Sequence, residues 1–391
     1  MRSTPTLPGS VLLRLIIASV LTPYLHLRYR IRRYGPRPPR RRATLILSNH
    51  QHDLEGMVLM TDLFWARPLV PVYAVSSRRL FEPGFMAQRF PYPWLYPLLN
   101  RIDWAPLFER IGVLPLENQP LAPPYTSLAY SLLRRHGNLP LEEVFSEEAL
   151  RHLGLRAGRL KDLWSPEVVS RAAQPASILA LRSPYREEIA QTRREEIEGE
   201  LAALEEVLRQ GGSLYLTPEG RYSKDGSLGR LKASLERLLP LAEEVWLAGI
   251  AYDVFASSRL TMVYRWVLLG PGPLREQLLA ARPVLASQLV AAAFEEGSSP
   301  QALMDRSLKL LRELPKGLFV DPELERHPER SIGRVMAWLK RQEWWVLRDG
   351  RLYLTGKRRL ASFPEVEDPL AYQRRFFEET LKAQAGSTVR P

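Results

Sequence analysis

Early in the chain, an apolar run leads directly into a polar loop and then into a segment with helical spacing. Residues 43–47 predict a short buried strand, and a helix is expected at about 53–64. A strand that delivers His50 to the start of a helix places that side chain at a sheet edge, where α/β proteins bind ligands. Glu55 follows five residues later, a spacing that suits a general base with its orienting acid. The alternative is a polar strand-to-helix turn with Asn49 as its N-cap.

A second segment repeats this order of elements. The turn Gly211-Gly212 precedes an apolar strand at 214–216, and a helix is expected to begin near 231. The polar loop between them reads Pro218-Glu219-Gly220-Arg221-Tyr222-Ser223. Strands that end in polar loops ahead of helices predict an α/β fold.

Together the two segments resemble the glycerolipid acyltransferase family, whose members acylate glycerol 3-phosphate or lysophosphatidic acid. That family carries Asn-His-x4-Asp after its first strand and Pro-Glu-Gly-Thr-Arg-Ser after a later one. Here Asn49-His50, Pro218-Glu219-Gly220 and Ser223 stand at the corresponding positions. The resemblance implies a mixed central β-sheet flanked by helices, as in glycerol-3-phosphate acyltransferases, and a role in phospholipid biosynthesis.

The same resemblance implies roles for residues of this chain. His50 would take the proton from the acceptor hydroxyl as it attacks an acyl thioester, and Glu55 would orient and stabilise the imidazole. Acyl-CoA or acyl-ACP would be the acyl donor, and glycerol phosphate or a lysophospholipid the acceptor. No metal or redox cofactor is implied. The residues expected to bind substrate are Asn49, Arg182, Glu219, Gly220, Arg221 and Ser223.

Three positions depart from the family pattern. Glu55 replaces the family's aspartate and is longer by one methylene, so Asp53 remains an alternative partner for His50. The loop arginine is shifted by one residue to Arg221. Since neighbouring side chains of an extended segment point to opposite sides, this shift directs Arg221 away from the position of the family's arginine. Gly249 stands where the family's apolar strand usually carries proline.

The family's second motif, a glycine-led strand that ends in arginine, is expected here in two parts. A short strand at 111–116 is followed by Glu117 at the arginine position. A later apolar run reads as a strand that ends at Arg182, so residues 119–176 would be a helical insertion. A guanidinium can bind phosphate through two parallel hydrogen bonds. We therefore expect Arg182 to bind the phosphate, with Lys232 as a further candidate.

The first 42 residues combine an apolar helix with a basic segment. Residues 11–21 are apolar apart from Arg14, but the run is shorter than the roughly 20 residues that a membrane span requires. Eight arginines follow between positions 28 and 42, and the chain of 391 residues carries a formal net charge of +12. This combination is typical of attachment to anionic lipid, although a core helix with a solvated basic linker is the alternative. We expect a peripheral or monotopic protein at the cytoplasmic face of the cell membrane.

The chain is expected to divide into a membrane-associating segment, an acyltransferase domain and a small C-terminal region, at 1–42, 43–318 and 319–391. Within the catalytic domain, single helices are expected at 228–239 and 275–295. In the C-terminal region, a helix at 331–342 precedes two strands around Asp349-Gly350, and a final helix is expected at 370–383. The helix and hairpin resemble a winged-helix fragment.

Two other functions fit parts of the pattern. A protein that binds nucleic acid or a protein partner could reuse the acyltransferase core without chemistry, given the altered motifs, the basic charge and the winged fragment. The basic run lies beside the apolar helix, which favours lipid over nucleic acid. A metal site built from His50, His52, Asp53 and Glu55 is the other alternative, although its spacing departs from the His-x-His-x-Asp-His pattern of metallohydrolases. The chain has no cysteine, which excludes disulfides and thiolate nucleophiles.

Overall fold

Strands and helices alternate along the chain, and the predicted α/β class is confirmed. The structure is a computed structural model that describes residues 11–39, 42–52, 54–82, 93–99, 102–116, 123–357 and 359–385. Seven mostly parallel strands are flanked by helices, and a separate two-stranded hairpin and an apolar N-terminal helix complete the described part. The chain divides into a larger compact unit, drawn from 15–72 and 211–391, and a smaller one, drawn from 1–14 and 73–210.

The described strands are β1 (Tyr29–Tyr34), β2 (Thr44–Ser48), β3 (Val72–Ser77), β4 (Val113–Leu116), β5 (Ser213–Leu216), β6 (Glu244–Asp253), β7 (Leu260–Leu268), β8 (Trp345–Arg348) and β9 (Arg351–Leu354). The first helices are α1 (Val11–Arg28), α2 (Glu55–Ala66), α3 (Tyr96–Leu99), α4 (Ala105–Ile111), α5 (Tyr125–His136), α6 (Leu141–Val144), α7 (Glu147–Leu153), α8 (Val169–Ala172) and α9 (Tyr185–Arg209). The later ones are α10 (Leu235–Leu238), α11 (Leu274–Ala280), α12 (Ala286–Ala293), α13 (Pro300–Arg312), α14 (Pro322–Arg326), α15 (Pro328–Arg341) and α16 (Pro369–Ala385). Short 3₁₀ turns lie at Arg78–Phe81, Pro93–Leu95, Leu160–Trp164, Ile178–Ala180 and Leu239–Leu241.

In the larger unit, five strands lie in the order β1-β7-β6-β2-β5. Strand β2 pairs in parallel with both β5 and β6, whereas β6 and β7 are antiparallel and β1 is parallel to β7. Leu45, Ile46 and Leu47 are completely buried. A strand that is covered on both faces needs an uninterrupted apolar run, which explains why β2 could be recognised in the sequence. Because β2 and β5 are parallel neighbours, the loops that follow them leave the same edge of the sheet.

Part of the basic segment after α1 is folded into the sheet. Residues Tyr29–Tyr34 form β1, and several arginines of the segment make ion pairs within the larger unit. Arg32 pairs with Asp321 at 2.7 Å, while Arg33 and Arg37 both reach the Asp62 carboxylate, at 3.0 and 2.6 Å. These side chains hold an edge strand and its exit against neighbouring elements, and the predicted attachment to anionic lipid stays a prediction.

Three predicted elements of regular structure are wrong. The run before Arg182 is a 3₁₀ turn, because the Ser177 hydroxyl accepts from the backbone N–H two residues on and starts a turn. The helix expected at 228–239 is reduced to α10 and a short turn, since the Lys232 N–H donates to the Pro218 carbonyl instead of a helical one. The helix expected at 275–295 is divided into α11 and α12 around Pro283, whose ring cannot continue a helix.

The smaller unit contains the parallel pair β3 and β4 together with the short helices of the predicted insertion. Leu128, Phe145 and Trp164 belong to a buried apolar cluster that these helices share. A buried carboxylate, Glu82, accepts from the Ser127 hydroxyl at 2.7 Å and the Trp164 indole at 3.3 Å. The long helix expected before the Pro-Glu-Gly loop is present as α9.

The C-terminal elements follow the sequence pattern closely. Helix α15 precedes the antiparallel hairpin of β8 and β9, and α16 covers the expected final helix. Asp349 and Gly350 connect the two strands with φ angles of 48° and 74°. Two positive φ values are what a tight hairpin turn requires, and an Asp-Gly pair provides them.

Asp253 ends β6 in a buried position and accepts a hydrogen bond from the Ser287 hydroxyl. Burial raises the pKa of this carboxyl from 3.8 to about 6, although the bond from Ser287 opposes the shift. The folded protein therefore keeps a proton that the unfolded chain releases between about pH 4 and pH 6. The contribution of Asp253 to stability is consequently lost as the pH rises through this window.

We expect Asp253→Asn to remove this pH-dependent loss. The free energy of unfolding of the variant minus that of wild type should increase by up to about 3 kcal/mol as the pH rises from 4 to 7. One pKa unit is worth about 1.4 kcal/mol. Urea denaturation at the two pH values measures the difference. Asp305→Asn, at an exposed carboxylate, is the control. Equal pH dependence for the two variants would contradict the assignment.

Candidate active site

The loop after β2 is fastened to the neighbouring strand β6 by buried side chains. Asn49 is completely buried, and its amide donates to the Ile250 carbonyl at 3.0 Å while accepting from the Ile250 N–H at 2.7 Å. Gln51 donates to the same carbonyl at 2.5 Å. Asn49 thus supports the loop that carries His50, and its predicted contact with substrate stays a prediction.

His50 and Glu55 lie in direct contact, as their spacing predicted. His50 Nδ1 is 2.9 Å from Glu55 Oε2, and Glu55 is completely buried at the first residue of α2. The same carboxylate accepts from the backbone N–H groups of Gln51 and His52, at 2.9 and 3.0 Å. A helix N-terminus favours a negative charge at this position. The carboxylate therefore fixes both the imidazole and the backbone of the loop.

Opposing effects set the protonation of Glu55. Burial raises the pKa of its carboxyl above 4.5, and the hydrogen bond and charge of His50 act in the opposite direction, as do the two backbone N–H groups. The arrangement can accept a proton on the second imidazole nitrogen and stabilise the resulting cation through the buried carboxylate.

The loop after β5 is joined to the His50 loop by one carboxylate. Glu219 is only 6% exposed and accepts from the His50 N–H at 2.9 Å and from the Gly229 N–H at 2.6 Å. The Ser223 N–H also donates to the His50 carbonyl at 2.9 Å. The structure thus brings His50, Glu55, Glu219 and Ser223 together at one edge of the sheet.

A cavity of about 450 Å³ opens beside this loop. Its walls are lined by residues of both signs, among them three basic side chains: Glu219, Arg221, Tyr222, Ser223, Asp225, Ser227, Gly229, Arg230, Leu231, Lys232 and Ala233. Arg221 lines this cavity, and its predicted contact with substrate stays a prediction. The segment is a succession of turns and not an extended strand, because Gly220 has a φ of +68°.

Gly220 and Tyr222 shape the surroundings of His50 and the cavity. A Cβ on Gly220 would lie 2.6 Å from Cε of Lys232, so the glycine leaves room for the lysine stem over the loop. The Tyr222 ring meets the His50 imidazole edge to face, with centroids 5.6 Å apart. Edge-to-face pairs are favourable, and a tyrosine face also attracts an imidazolium cation. Tyr222 therefore positions the proposed base and lines the cavity at the same time.

Arg182 belongs to the smaller unit, where its Nε donates to the Phe145 carbonyl at 2.8 Å. Its predicted role as phosphate ligand stays a prediction. Asp53, the alternative partner of His50, and Glu117, at the arginine position of the second motif, lie outside the described residues.

His52 occupies an aromatic site instead of facing His50. Its Nδ1 lies 3.2 Å from the Tyr29 hydroxyl, and its ring stacks on Phe363 with centroids 5.9 Å apart. Within the described part of the chain, no group of three or more His, Asp or Glu side chains could hold a metal ion.

None of the protein-family models matches this chain, and a search of the curated proteins finds no match. The resemblance to glycerolipid acyltransferases therefore rests on the motif residues alone.

Several supporting residues gave no signal in the sequence. Gly229 donates to Glu219 from an element that was predicted as a helix. Gln51 accepts from the Tyr372 hydroxyl of α16 at 3.2 Å, across 321 positions of sequence. Contacts at this separation depend on how the helices pack, and no local pattern encodes them.

The hydrogen bonds between Asn49 and Ile250 lead to a prediction that does not depend on function. Asn49→Ala leaves the buried Ile250 N–H without its acceptor, which should lower the free energy of unfolding by at least about 1–3 kcal/mol. Arg230→Ala removes an exposed side chain from the cavity wall and should change it by less than about 0.5 kcal/mol. Urea denaturation at pH 7 measures both variants. Equal destabilisation would show that Asn49 does not support the fold.

Proposed function

We propose that this protein is an O-acyltransferase that moves a fatty acyl group from acyl-CoA or acyl-ACP to a hydroxyl of glycerol phosphate or a lysophospholipid. The observation that carries the proposal is the His50–Glu55 contact of 2.9 Å, held at a sheet edge beside the cavity of the Pro-Glu-Gly loop. A mixed sheet flanked by helices is compatible with the acyltransferase-like fold that the motifs imply.

In this proposal His50 Nε2 accepts the proton of the acceptor hydroxyl while that oxygen forms a bond to the thioester carbonyl carbon. Glu55 holds Nδ1 protonated and stabilises the imidazolium, as the acid does in other acid-oriented bases. The tetrahedral intermediate then expels the thiolate, which takes the proton from the imidazolium. The products are the ester and the free thiol.

The cavity supplies the features that a phosphate-bearing acceptor requires. Arg221, Arg230 and Lys232 line it, and guanidinium and ammonium groups are the usual ligands of phosphate in proteins. Glu219 keeps this wall joined to His50 through two backbone bonds. An acceptor phosphate bound in the cavity would therefore have its hydroxyls close to the loop of the base.

A lipid substrate also requires contact with a membrane, and α1 offers a surface for it. By length and composition the helix could cross a membrane, and only 17% of it is buried within the protein. Ile16, Val20 and Leu27 are 52%, 66% and 75% exposed, an arrangement opposite to that of a core helix. The exposed Trp65 lies beside it and donates to the Thr22 hydroxyl at 2.8 Å. Tryptophan is enriched where proteins meet the lipid–water interface.

The catalytic assignment predicts a graded set of losses. His50→Ala should abolish acyl transfer, and Glu55→Gln should reduce kcat by about 10⁴, as for other acid-oriented bases. Glu55→Asp restores the family's residue and should keep measurable activity. The measurement is ester formation from acyl-CoA or acyl-ACP with a panel of lysolipids and glycerol phosphate, alongside melting temperatures.

His327→Ala, at an exposed histidine, is the matched control and should behave as wild type. An active His50→Ala variant would remove His50 from the mechanism. If wild-type protein acylates none of the acceptors and Glu55→Asp does not create activity, the alternative of a binding protein without chemistry becomes the better description.

The membrane surface predicts binding that depends on apolar contact. The triple variant Ile16→Gln, Val20→Gln, Leu27→Gln should float with anionic phospholipid vesicles roughly tenfold or more weakly than wild type, because each lost side chain is worth more than 1 kcal/mol. The control variant makes the same change at three exposed leucines outside α1, namely Leu179, Leu347 and Leu354. If only high salt releases the protein and the α1 variant floats as wild type does, the attachment is electrostatic and α1 is not the contact.

A further inference from the structure

A buried arginine lies beneath the Pro-Glu-Gly loop, outside every motif that the sequence presented. Arg282, between α11 and α12, is 1% exposed. Its guanidinium lies over the Phe376 ring, 4.2 Å from the centroid, and Nη1 donates to the Gly226 carbonyl at 3.4 Å. Its Nε has no hydrogen-bond partner among the described residues. A buried cation with so few bonds is costly unless a nearby charge compensates it.

Gly249 explains how the arginine reaches this position. A Cβ on Gly249 would lie 2.1 Å from the Ala281 carbonyl oxygen and 2.7 Å from the Arg282 nitrogen. Any other residue in this part of β6 would therefore push the 281–282 backbone away from the sheet. The departure from the family's proline thus has a structural reason in this chain: it admits Arg282 to the core.

Helix α16 closes the same region from the other side. Gly226 has a φ of +89°, and a Cβ there would lie 2.3 Å from the Tyr372 carbonyl oxygen. Arg275 of α11 donates to the carbonyls of Leu228 and Gly229, at 2.6 and 2.7 Å. The loop that contains the Gly229 donor is therefore packed between α11, α16 and Arg282.

The charges of Arg282 and Glu219 stabilise each other across this packing. Burial raises the pKa of Glu219, and the bonds from Gly229 and His50 together with the charge of Arg282 oppose the shift. Burial lowers the pKa of Arg282, and the charge of Glu219 opposes that shift first. The other ionisable groups that act on the pair are His50, Arg275, Tyr372 and Glu379.

We propose that Arg282 is a positioning residue of the acyl-transfer site, which keeps Glu219 as a carboxylate between the two loops and so holds His50 against the cavity wall. The inference rests on the proposed function for its effect on catalysis. The coupling between Arg282 and Glu219 is independent of that function. Arg282 contacts neither substrate nor reacting atoms, and it acts only through Glu219.

The kinetic test compares Arg282→Met with Arg282→Lys across the pH profile of kcat/KM. Without the cation, Glu219 should take up its proton at a higher pH. The acid limb of the profile, where kcat/KM falls as the pH is lowered, should therefore shift to higher pH by about 1 unit. Arg282→Lys retains the charge and should retain the wild-type profile. When Glu219 is already replaced by glutamine, adding Arg282→Met should not shift the acid limb. An equal loss of activity at every pH, or a shift that persists in that background, would overturn the proposal.

A second measurement requires no activity at all. Melting temperatures are determined for Arg282→Met, Glu219→Gln and the double variant, with exposed Arg330→Met as the control. Each single change leaves one buried charge unpaired, so the double variant should melt well above the value that additive losses predict. Additive losses would overturn the coupling. If the losses are not additive and the wild-type protein shows no acyl transfer, the coupling stands and the proposed function is rejected.

Discussion

Two backbone N–H groups, one from each loop of the candidate site, converge on the single carboxylate of Glu219. Hydrogen bonds to an ionised acceptor are shorter and stronger than neutral ones, and the distances of 2.9 and 2.6 Å agree with this. Because β2 and β5 are parallel neighbours, both loops leave the same sheet edge, but the sheet alone does not fix the distance between their tips. Glu219 fixes it together with the bond from the Ser223 N–H to the His50 carbonyl, and the placement of His50 beside the cavity depends on both.

Three charged side chains of the site are buried. Glu55 and Glu219 each accept two or more backbone hydrogen bonds, whereas within the described part of the chain Arg282 donates a single long one, to the Gly226 carbonyl. Apolar residues of similar volume would often stabilise such a region more than ion pairs do. Perturbed ionisable groups cluster at functional sites, where the chemistry requires charge in a water-poor environment. Burying these three charges is compatible with the proposed function, which would require charge at this edge of the sheet.

How far the sequence predicts this molecule depends on how local each feature is. Strand β2, helix α9 and the Asp349-Gly350 hairpin follow from continuous apolar runs, helical spacing and turn chemistry. The His50–Glu55 contact was accessible because five residues separate the two. The run before Arg182 was misassigned because a short apolar run also fits a capped turn. Arg282 was not found, since its closeness to Glu219 arises only when α11, α16 and the Gly249 strand pack together.

The arginine-rich segment shows why a count of charges cannot locate a membrane contact. Arg32, Arg33 and Arg37 are engaged with Asp321 and Asp62, so they hold β1 in the sheet. An arginine that is paired with a carboxylate attracts an anionic surface less than a free arginine would, because the two opposite charges partly cancel. The apolar surface of α1 remains exposed beside them. If the proposed attachment to lipid occurs, it should therefore depend on burial of apolar side chains of α1, because Arg32, Arg33 and Arg37 already have structural partners.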